Sequence, residues 1–293
     1  MHRLRVIVNP KSGFGPSMGD LAHAVEQAWR GTTDEITYQF SHDIADSQAK
    51  VEHAKRDGVR TLLVAGGDGM INSIGSALLG SDIALGVLPC GSGNGFARHF
   101  NIPLDPAKAA AALVGATAKP IDVAIANDRP FIVTCGMAWD AALVRSYEKS
   151  PIRGILPYVL AGAVELLEYK PQLFRFQLDH GPWETMDKPM IFTAANLTQY
   201  GGGARIAPTA CENDGFLELV AVKRADAPFA AASFTRLFNG TIDRVEGVHT
   251  RRFKRLHVIR EHPDVIQLDG ELVQSPPEVV VTLHPQRLNV LIP

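Results

Sequence analysis

Thr61-Leu62-Leu63-Val64-Ala65-Gly66-Gly67-Asp68-Gly69-Met70-Ile71-Asn72-Ser73 is the stretch that decides the fold. Thr61 to Ala65 is an apolar run of buried-strand length, and after the turn Ile71, Ile74 and Leu78 line one helical face until Gly80 supplies a C-terminal stop. Between them, one acid is held among three glycines. A strand, a glycine turn and a helix in that order form the unit with which an α/β sheet handles phosphate. Glycine lets backbone N–H groups approach an anion closely, and the helix N-terminus adds a favourable dipole. A lone carboxylate in such a turn implies that a cation accompanies the phosphates. Gly91-Ser92-Gly93-Asn94-Gly95 repeats the arrangement behind a second apolar run, Ile83 to Leu88, ended by Pro89. Two such loops in consecutive units point to nucleotide handling.

Upstream, Leu4 to Val8 reads as a strand running into Asn9-Pro10, and Leu21, Val25, Ala28 and Trp29 fall at helical spacing. Ile36, Tyr38 and Phe40 alternate as a strand, and Ile44 to Arg56 reads as a helix with a polar face. Downstream, Asp105-Pro106 opens an alanine-rich helix ending near Gly115, since Asp caps a helix and Pro suits its first turn. This alternation predicts a largely parallel sheet covered on both faces, with ligands beyond the carboxyl ends of its strands. From about Ile121 the texture changes to strand-like runs: Phe131 to Cys135, Leu173 to Leu178, Met190 to Ala194, Phe216 to Val222 and Val279 to Leu283. Ala230 to Phe238 is the clearly helical exception. The expected fold is therefore α/β plus β, with an α/β nucleotide-binding domain over 1–125, an antiparallel β domain over 126–287 and an active site in the cleft between them.

Composition bounds the function classes. The chain has 293 residues, 46% hydrophobic and 20% charged, with a formal net charge of −2, which suits a two-domain globular protein and gives no overall reason to expect nucleic acid. Cys90, Cys135 and Cys211 are too widely separated for a disulfide framework or a CxxC zinc pattern, as expected of a reduced cytoplasmic protein. Met1 to Val8 passes directly into a strand pattern, so no signal peptide is expected. The most apolar long segment, Ile155 to Leu167, is interrupted by Pro157, Gly162 and Glu165, and membrane contact is expected to be peripheral.

Several motifs carry two readings. Asn9-Pro10-Lys11-Ser12-Gly13-Phe14-Gly15 has the composition of a phosphate loop without matching G-x-x-x-x-G-K-[ST], and a plain turn explains it equally. Asp269-Gly270-Glu271 lies between the apolar runs Val265 to Leu268 and Leu272 to Val273, where Asp-Gly is a hairpin signal; the alternative is an acid pair facing the nucleotide loops. Asn213-Asp214-Gly215 has the same turn chemistry. Arg251, Arg252, Lys254, Arg255 and Arg260 form the most basic stretch, read either as a solvated strand face or as an attraction to an anionic membrane surface.

Taken in order, these pieces resemble the diacylglycerol kinase catalytic family, in particular the soluble bacterial lipid kinases related to sphingosine and ceramide kinases. The resemblance rests on VNPKSG (8–13), GGDGMIN (66–72), LPCGSGNGFAR (88–98), IDVA (121–124), CGMAWDAAL (135–143), GGGARIAPTA (201–210), NDGFLEL (213–219) and LDGE (268–271). It implies a Rossmann-like nucleotide-binding domain followed by a β-sandwich, with the last strand, here within 288–293, returning to the first domain. It also implies that Asn9, Pro10, Lys11, Ser12 and Gly13 hold ATP phosphates, that Ser41 contacts nucleotide, and that Gly66, Gly67, Asp68, Gly69, Met70, Ile71, Asn72 and Ser73 form the main nucleotide loop, with Ser92 completing the set. Asp68 would work near metal and phosphates. Glu271 would accept the proton of a lipid hydroxyl, and Asp214 with the carbonyls of Cys211 and Phe216 would ligate a second, structural Mg²⁺.

The implied activity is transfer of the γ-phosphate of ATP, with Mg²⁺, to a hydroxyl of diacylglycerol or a similar lipid met at a membrane surface. Ile155 to Leu167 is a candidate wall for the lipid chains, and a homodimer is compatible with this reading. Members of the family often read GGDGT with an acid after the asparagine and carry Asp at the position of Gly95, whereas this chain has Met70, Ser73 and Gly95. Two alternatives stand beside the lipid kinase: an NAD kinase-like or other small-molecule kinase, since those proteins also use GGDG, and a catalytically silent nucleotide or lipid sensor.

Overall fold

The structure, a computed structural model, describes residues 3–10, 17–141, 172–223 and 227–293. The chain forms two compact units, Met1–Ile121 with Pro285–Pro293, and Asp122–His284.

The first unit alternates β1 (Arg3–Val8), α1 (Met18–Ala28), β2 (Glu35–Phe40), α2 (Ile44–Arg56), β3 (Thr61–Gly66), α3 (Asp68–Leu78), β4 (Ala84–Pro89), α4 (Gly95–His99), α5 (Pro106–Ala112) and β5 (Thr117–Ile121). Its sheet runs in the order β2, β1, β3, β4, the last strand of the chain (Leu288–Ile292), then β5. β2, β1, β3 and β4 pair in parallel, the last strand joins β4 in parallel, and β5 closes the edge antiparallel. Every residue of β3 and β4 is buried, which is why both read as apolar runs, while no residue of edge strand β2 is fully buried and its sequence alternates. Two helix starts carry aspartate caps: Asp105, as expected, accepts the N–H of Lys108 at 2.9 Å with Pro106 at the first helical position, and Asp43 accepts that of Asp46 at 2.8 Å. The chain end is tied to this unit beyond its strand pairing, through Gly80 N–H to the Arg287 carbonyl at 3.3 Å and Asn289 Nδ2 to the Ser81 carbonyl at 3.0 Å.

The second unit contains β6 (Ala124–Ala126), β7 (Arg129–Phe131), β8 (Thr134–Gly136), β9 (Phe174–Leu178), β10 (Glu184–Met186), β11 (Ile191–Ala195), β12 (Gln199–Gly201), β13 (Ala204–Arg205), β14 (Leu217–Val222), α6 (Ala227–Asn239), β15 (Val248–Phe253), β16 (Arg255–Arg260), β17 (Asp264–Leu268), β18 (Glu271–Ser275) and β19 (Glu278–Leu283). One sheet is ordered β10, β9, β16, β19, β6, β7 and the other β15, β14, β11, β8, β17, β18, with antiparallel pairing throughout the two sheets. Phe174 and Phe176 of the first sheet meet Phe192 of the second edge-on, at centroid distances of 5.0 and 5.3 Å. Each such ring pair contributes about 0.5–1.5 kcal/mol beyond area burial, and together they centre the sandwich core.

One expected strand divides. Phe131 to Cys135 reads as a single apolar run, but β7 ends at Phe131 in one sheet and β8 begins at Thr134 in the other. Ile132 and Val133 carry the chain across the sandwich and are buried on the way, so the apolar pattern continues where the strand does not.

Candidate active site

Three loops leave the carboxyl edge of the first sheet from adjacent strands β1, β3 and β4. The sheet ladder runs on past the strand ends, with Asn9 N–H to the Ala65 carbonyl and Cys90 N–H to the Gly66 carbonyl, both at 3.0 Å, so the loops start in register. Between the second and third loops the backbones touch. A Cβ built on Gly91 would stand 2.6 Å from the Gly67 Cα, and one on Gly67 would stand 3.3 Å from the Gly91 Cα. Gly91 has no room for a side chain at that approach, and at Gly67 a Cβ would be tightly packed.

The acid of the GGDG turn closes this contact. Asp68 accepts the N–H of Gly95 at 2.9 Å and that of Phe96 at 3.0 Å, one on each carboxylate oxygen. Asn94, in the left-handed region at φ 49°, holds the second loop shut by accepting from the Gly91 N–H at 3.0 Å and donating to the Gly91 carbonyl at 2.8 Å. Burial raises the Asp68 carboxyl above its ordinary value, opposed by the N–H groups of Phe96 and Gly95 and the charge of Arg98. An acid between glycines is therefore here a cross-loop brace, a role that turn chemistry alone did not suggest.

The other nucleotide-loop residues divide by where their side chains go. Met70 lies across Gly66, where an added Cβ would meet its Sδ at 2.6 Å. Ile71 is buried in the core on the same helical face as Ile74 and Leu78, and its N–H is bonded to the Gly67 carbonyl at 3.1 Å. Asn72 Oδ1 accepts from the Ser76 hydroxyl at 2.8 Å, and the Ser73 hydroxyl is buried with no hydrogen-bond partner among the described residues. Ser92 is exposed at the tip of its loop, and Pro10 is exposed after β1. The hydroxyl of Ser41 is engaged at the start of α2, with the Asp43 carbonyl at 3.2 Å and the Ser47 hydroxyl at 2.5 Å. Lys11, Ser12 and Gly13, and the apolar segment 155–167, lie outside the described residues.

In the second unit, Asp269-Gly270 is a two-residue hairpin turn between β17 and β18, with φ of 52° and 86° as a type I′ turn requires. The hairpin reading and the acid pair part company here, because the two acids do different things. Asp269, 6% exposed, accepts the N–H groups of Ile132 at 2.7 Å, Val133 at 2.7 Å and Thr134 at 2.9 Å. Its carboxylate thus satisfies the backbone donors of the segment that crosses the sandwich. Gln267 holds the turn from the other side: Oε1 accepts the Gly270 N–H at 2.9 Å and Nε2 donates to the Thr134 hydroxyl at 3.1 Å. Glu271, the first residue of β18, is exposed on this clamped turn.

A further buried acid was not singled out by the sequence reading, although its motif was. Asp140 accepts the Thr193 hydroxyl at 2.6 Å, the Tyr200 hydroxyl at 3.0 Å and the Ala138 N–H at 2.9 Å. Burial raises its carboxyl, and these hydrogen bonds oppose the shift. The signal available for it was an acid inside an otherwise apolar run, 135–143.

Asp214, expected to hold a second Mg²⁺, is engaged within the protein. Asp214 Oδ1 accepts the Phe216 N–H at 3.0 Å, and Oδ2 is paired with the Arg252 guanidinium. Among the described residues no group of three or more His, Cys, Asp or Glu side chains is placed to hold a metal ion. Mg²⁺ demands near-octahedral oxygen coordination, and the carboxylate here already has a guanidinium in front of it. As placed, the Asp214 carboxylate faces a guanidinium, and a metal ion there would have to displace it.

Comparison with known proteins agrees with the architecture. Residues 3–126 match the diacylglycerol kinase catalytic domain, and residues 132–292 match the YegS C-terminal NAD kinase beta sandwich-like domain. An α/β domain carrying two glycine loops, followed by this sandwich, is the two-domain architecture that these two family models describe. The chain belongs to the diacylglycerol kinase and YegS-like family. It is 28% identical over 299 residues to "Diacylglycerol kinase" of Mycobacterium tuberculosis (strain ATCC 25618 / H37Rv), covering 99% of this chain and 95% of that one. It is also 28% identical over 256 residues to "Probable lipid kinase YegS-like" of Alcanivorax borkumensis, covering 84% of each. A solved structure described as that of a diacylglycerol kinase from Bacillus anthracis str. Sterne superposes with a TM-score of 0.74 at 18% identity, covering 100% of this chain and 97% of the other, a likeness of fold.

Proposed function

We propose that the protein is an ATP-dependent lipid kinase that transfers the γ-phosphate of ATP to a hydroxyl of diacylglycerol or a similar lipid. The observation that carries this reading is the joining of the two glycine loops through Gly67, Gly91 and Asp68 at the carboxyl edge of a parallel sheet. That edge is where such sheets bind ligands, and glycine backbones there present N–H groups to phosphate. The likeness to the M. tuberculosis protein over nearly the whole of both chains supports diacylglycerol as the acceptor class.

Phosphoryl transfer asks mainly for positioning and for charge stabilisation. In the proposed reaction the acceptor oxygen forms a bond to the γ-phosphorus, the bond from that phosphorus to the β,γ-bridging oxygen breaks, and ADP leaves. Glu271 takes the hydroxyl proton, and the Asp269 and Gln267 clamps keep its backbone in place. Mg²⁺ bound with the nucleotide would supply neutralisation of phosphate charge; Asp68, with lone pairs left beyond its two N–H bonds, is the loop carboxylate that would hold it. The lipid would be met at a membrane surface by peripheral contact, and no described helix is long and apolar enough to cross a membrane.

The test is incubation of purified protein with labelled ATP and Mg²⁺ against diacylglycerol, monoacylglycerol, ceramide, sphingosine and phosphatidylglycerol in mixed micelles, with NAD as a soluble acceptor. Labelled lipid that disappears with Glu271→Gln, in a variant that unfolds like the parent, is the expected result. Label in NAD alone would transfer the reading to a small-molecule kinase, and ATP binding without any transfer would make the protein a sensor.

A further inference from the structure

The turn 211–216 leads into β14, and β15 pairs with β14 so that Arg252 stands directly opposite Glu218. Directly opposite residues of an antiparallel pair share a face, so the guanidinium is carried over the face that bears the Glu218 carboxylate. From there it pairs with Asp214 Oδ2 and lies 4.3 Å from the centre of the Phe216 ring, while Lys254 Nζ lies 4.9 Å from the same ring. Glu218 is 4% exposed, and both its oxygens accept the Thr209 hydroxyl at 2.9 Å. Asp214 and Asp243 add negative charge to its surroundings, and Arg252 offsets it. Arg252 is therefore the cation that acts on Glu218 in a corner it shares with Asp214 and Asp243.

We propose that Arg252 is the resident cation of this corner, holding the 211–216 turn against β15 where a divalent metal would otherwise be needed, so that the second unit is stable without one. Three features support the assignment. Each oxygen of the Asp214 carboxylate is engaged, one by the Phe216 N–H and the other by the cationic Arg252 guanidinium. Phe216, whose carbonyl would be a metal ligand, carries two cations against its ring, which disfavours a third positive charge beside it. The turn is also anchored without a metal, since Gly215 N–H donates to the Asp122 carboxylate at 2.8 Å and Asp122 N–H to the Glu212 carbonyl at 2.7 Å.

This also accounts for part of the basic stretch. Arg251 pairs with Glu184 at 2.8 Å, Arg252 with Asp214, and Arg260, 2% exposed, donates to the Pro276 carbonyl at 2.8 Å. The inference is independent of the kinase reading, because it concerns what holds the second unit together.

The experiment uses the full chain without nucleotide: metal content after purification, and thermal unfolding in EDTA, in MgCl₂ and in CaCl₂. The wild type is expected to carry far less than one equivalent of divalent metal and to melt at the same temperature in all three. Arg252→Gln is expected to melt lower in EDTA by about 2–4 °C and to recover in MgCl₂ or CaCl₂, and Asp214→Asn added to it is expected to abolish the recovery. The proposal is overturned if the wild type retains a stoichiometric metal and loses stability in EDTA, or if Arg252→Gln melts as the wild type does with no metal response. If Arg252→Gln does not fold, the wild-type metal content and EDTA melt decide the matter alone.

Discussion

The Asp68 carboxylate holds the N–H of Gly95 at 2.9 Å, which ties the first glycine turn to the second. With Phe96 on the other oxygen at 3.0 Å, the acid gives the two loops a common anchor. Asp68→Ala removes both acceptors and is expected to cost about 1–3 kcal/mol in urea unfolding as well as activity. Asp68→Asn keeps one acceptor oxygen and should fall between the two. An alanine variant as stable as the parent would refute the brace.

Gly91→Ala tests the backbone contact directly, because its Cβ would lie 2.6 Å from the Gly67 Cα. The loops must separate, at a cost of about 1–3 kcal/mol, and ATP affinity measured by calorimetry should fall at least tenfold, the equivalent of about 1.4 kcal/mol. Unchanged affinity would show that the contact does not shape the nucleotide site.

Asp269 tests whether the hairpin clamp positions Glu271. Asp269→Asn keeps an oxygen for Val133 and Thr134, which share Oδ1, but turns an amide NH₂ toward the Ile132 N–H now held by Oδ2. We expect a stability loss of about 2 kcal/mol and, in the folded variant, a lower kcat at similar nucleotide affinity. A variant equal to the parent in both would remove Asp269 from any positioning role.

Glu218 sets a pH dependence of stability whose sign follows from its environment. Burial holds its carboxyl above the ordinary 4.5, with Thr209 and Arg252 opposing. A folded value above the unfolded one means the contribution is fully present below about pH 4.5 and is lost as pH rises through the folded value. Glu218→Gln removes this loss while leaving an acceptor for Thr209. Thermal melts at pH 5 and pH 8 should show the variant gaining on the parent at the higher pH, and a constant difference would contradict the assignment.

Much of the first unit was legible because its signals are local. Buried parallel strands write themselves as apolar runs, so the runs at Thr61 and Ile83 lead to β3 and β4, and Asp105 shows its helix start by capping chemistry. The second unit was legible as antiparallel β but not strand by strand. The run from Phe131 to Cys135 could not show its division, since residues crossing a sandwich core are as buried as those within a strand. The site showed the same limit. Gly67, Gly91, Asp68 and Asp269 were visible as turn residues, but their partners lie far along the chain, 27 residues for Asp68 with Gly95 and 137 for Asp269 with Ile132.

The sequence by itself determined an α/β unit with two glycine loops, a β-rich unit after it and, through eight motifs in order, the lipid-kinase family. Those features depend on periodicity, glycine and capping, which act between near neighbours. Only the tertiary structure decided what the acids do. Asp68 braces two loops, Asp269 satisfies a crossing backbone, and Asp214 is paired with Arg252. A carboxylate's role is set by the donors and charges that folding brings to it, and those come from distant parts of the chain.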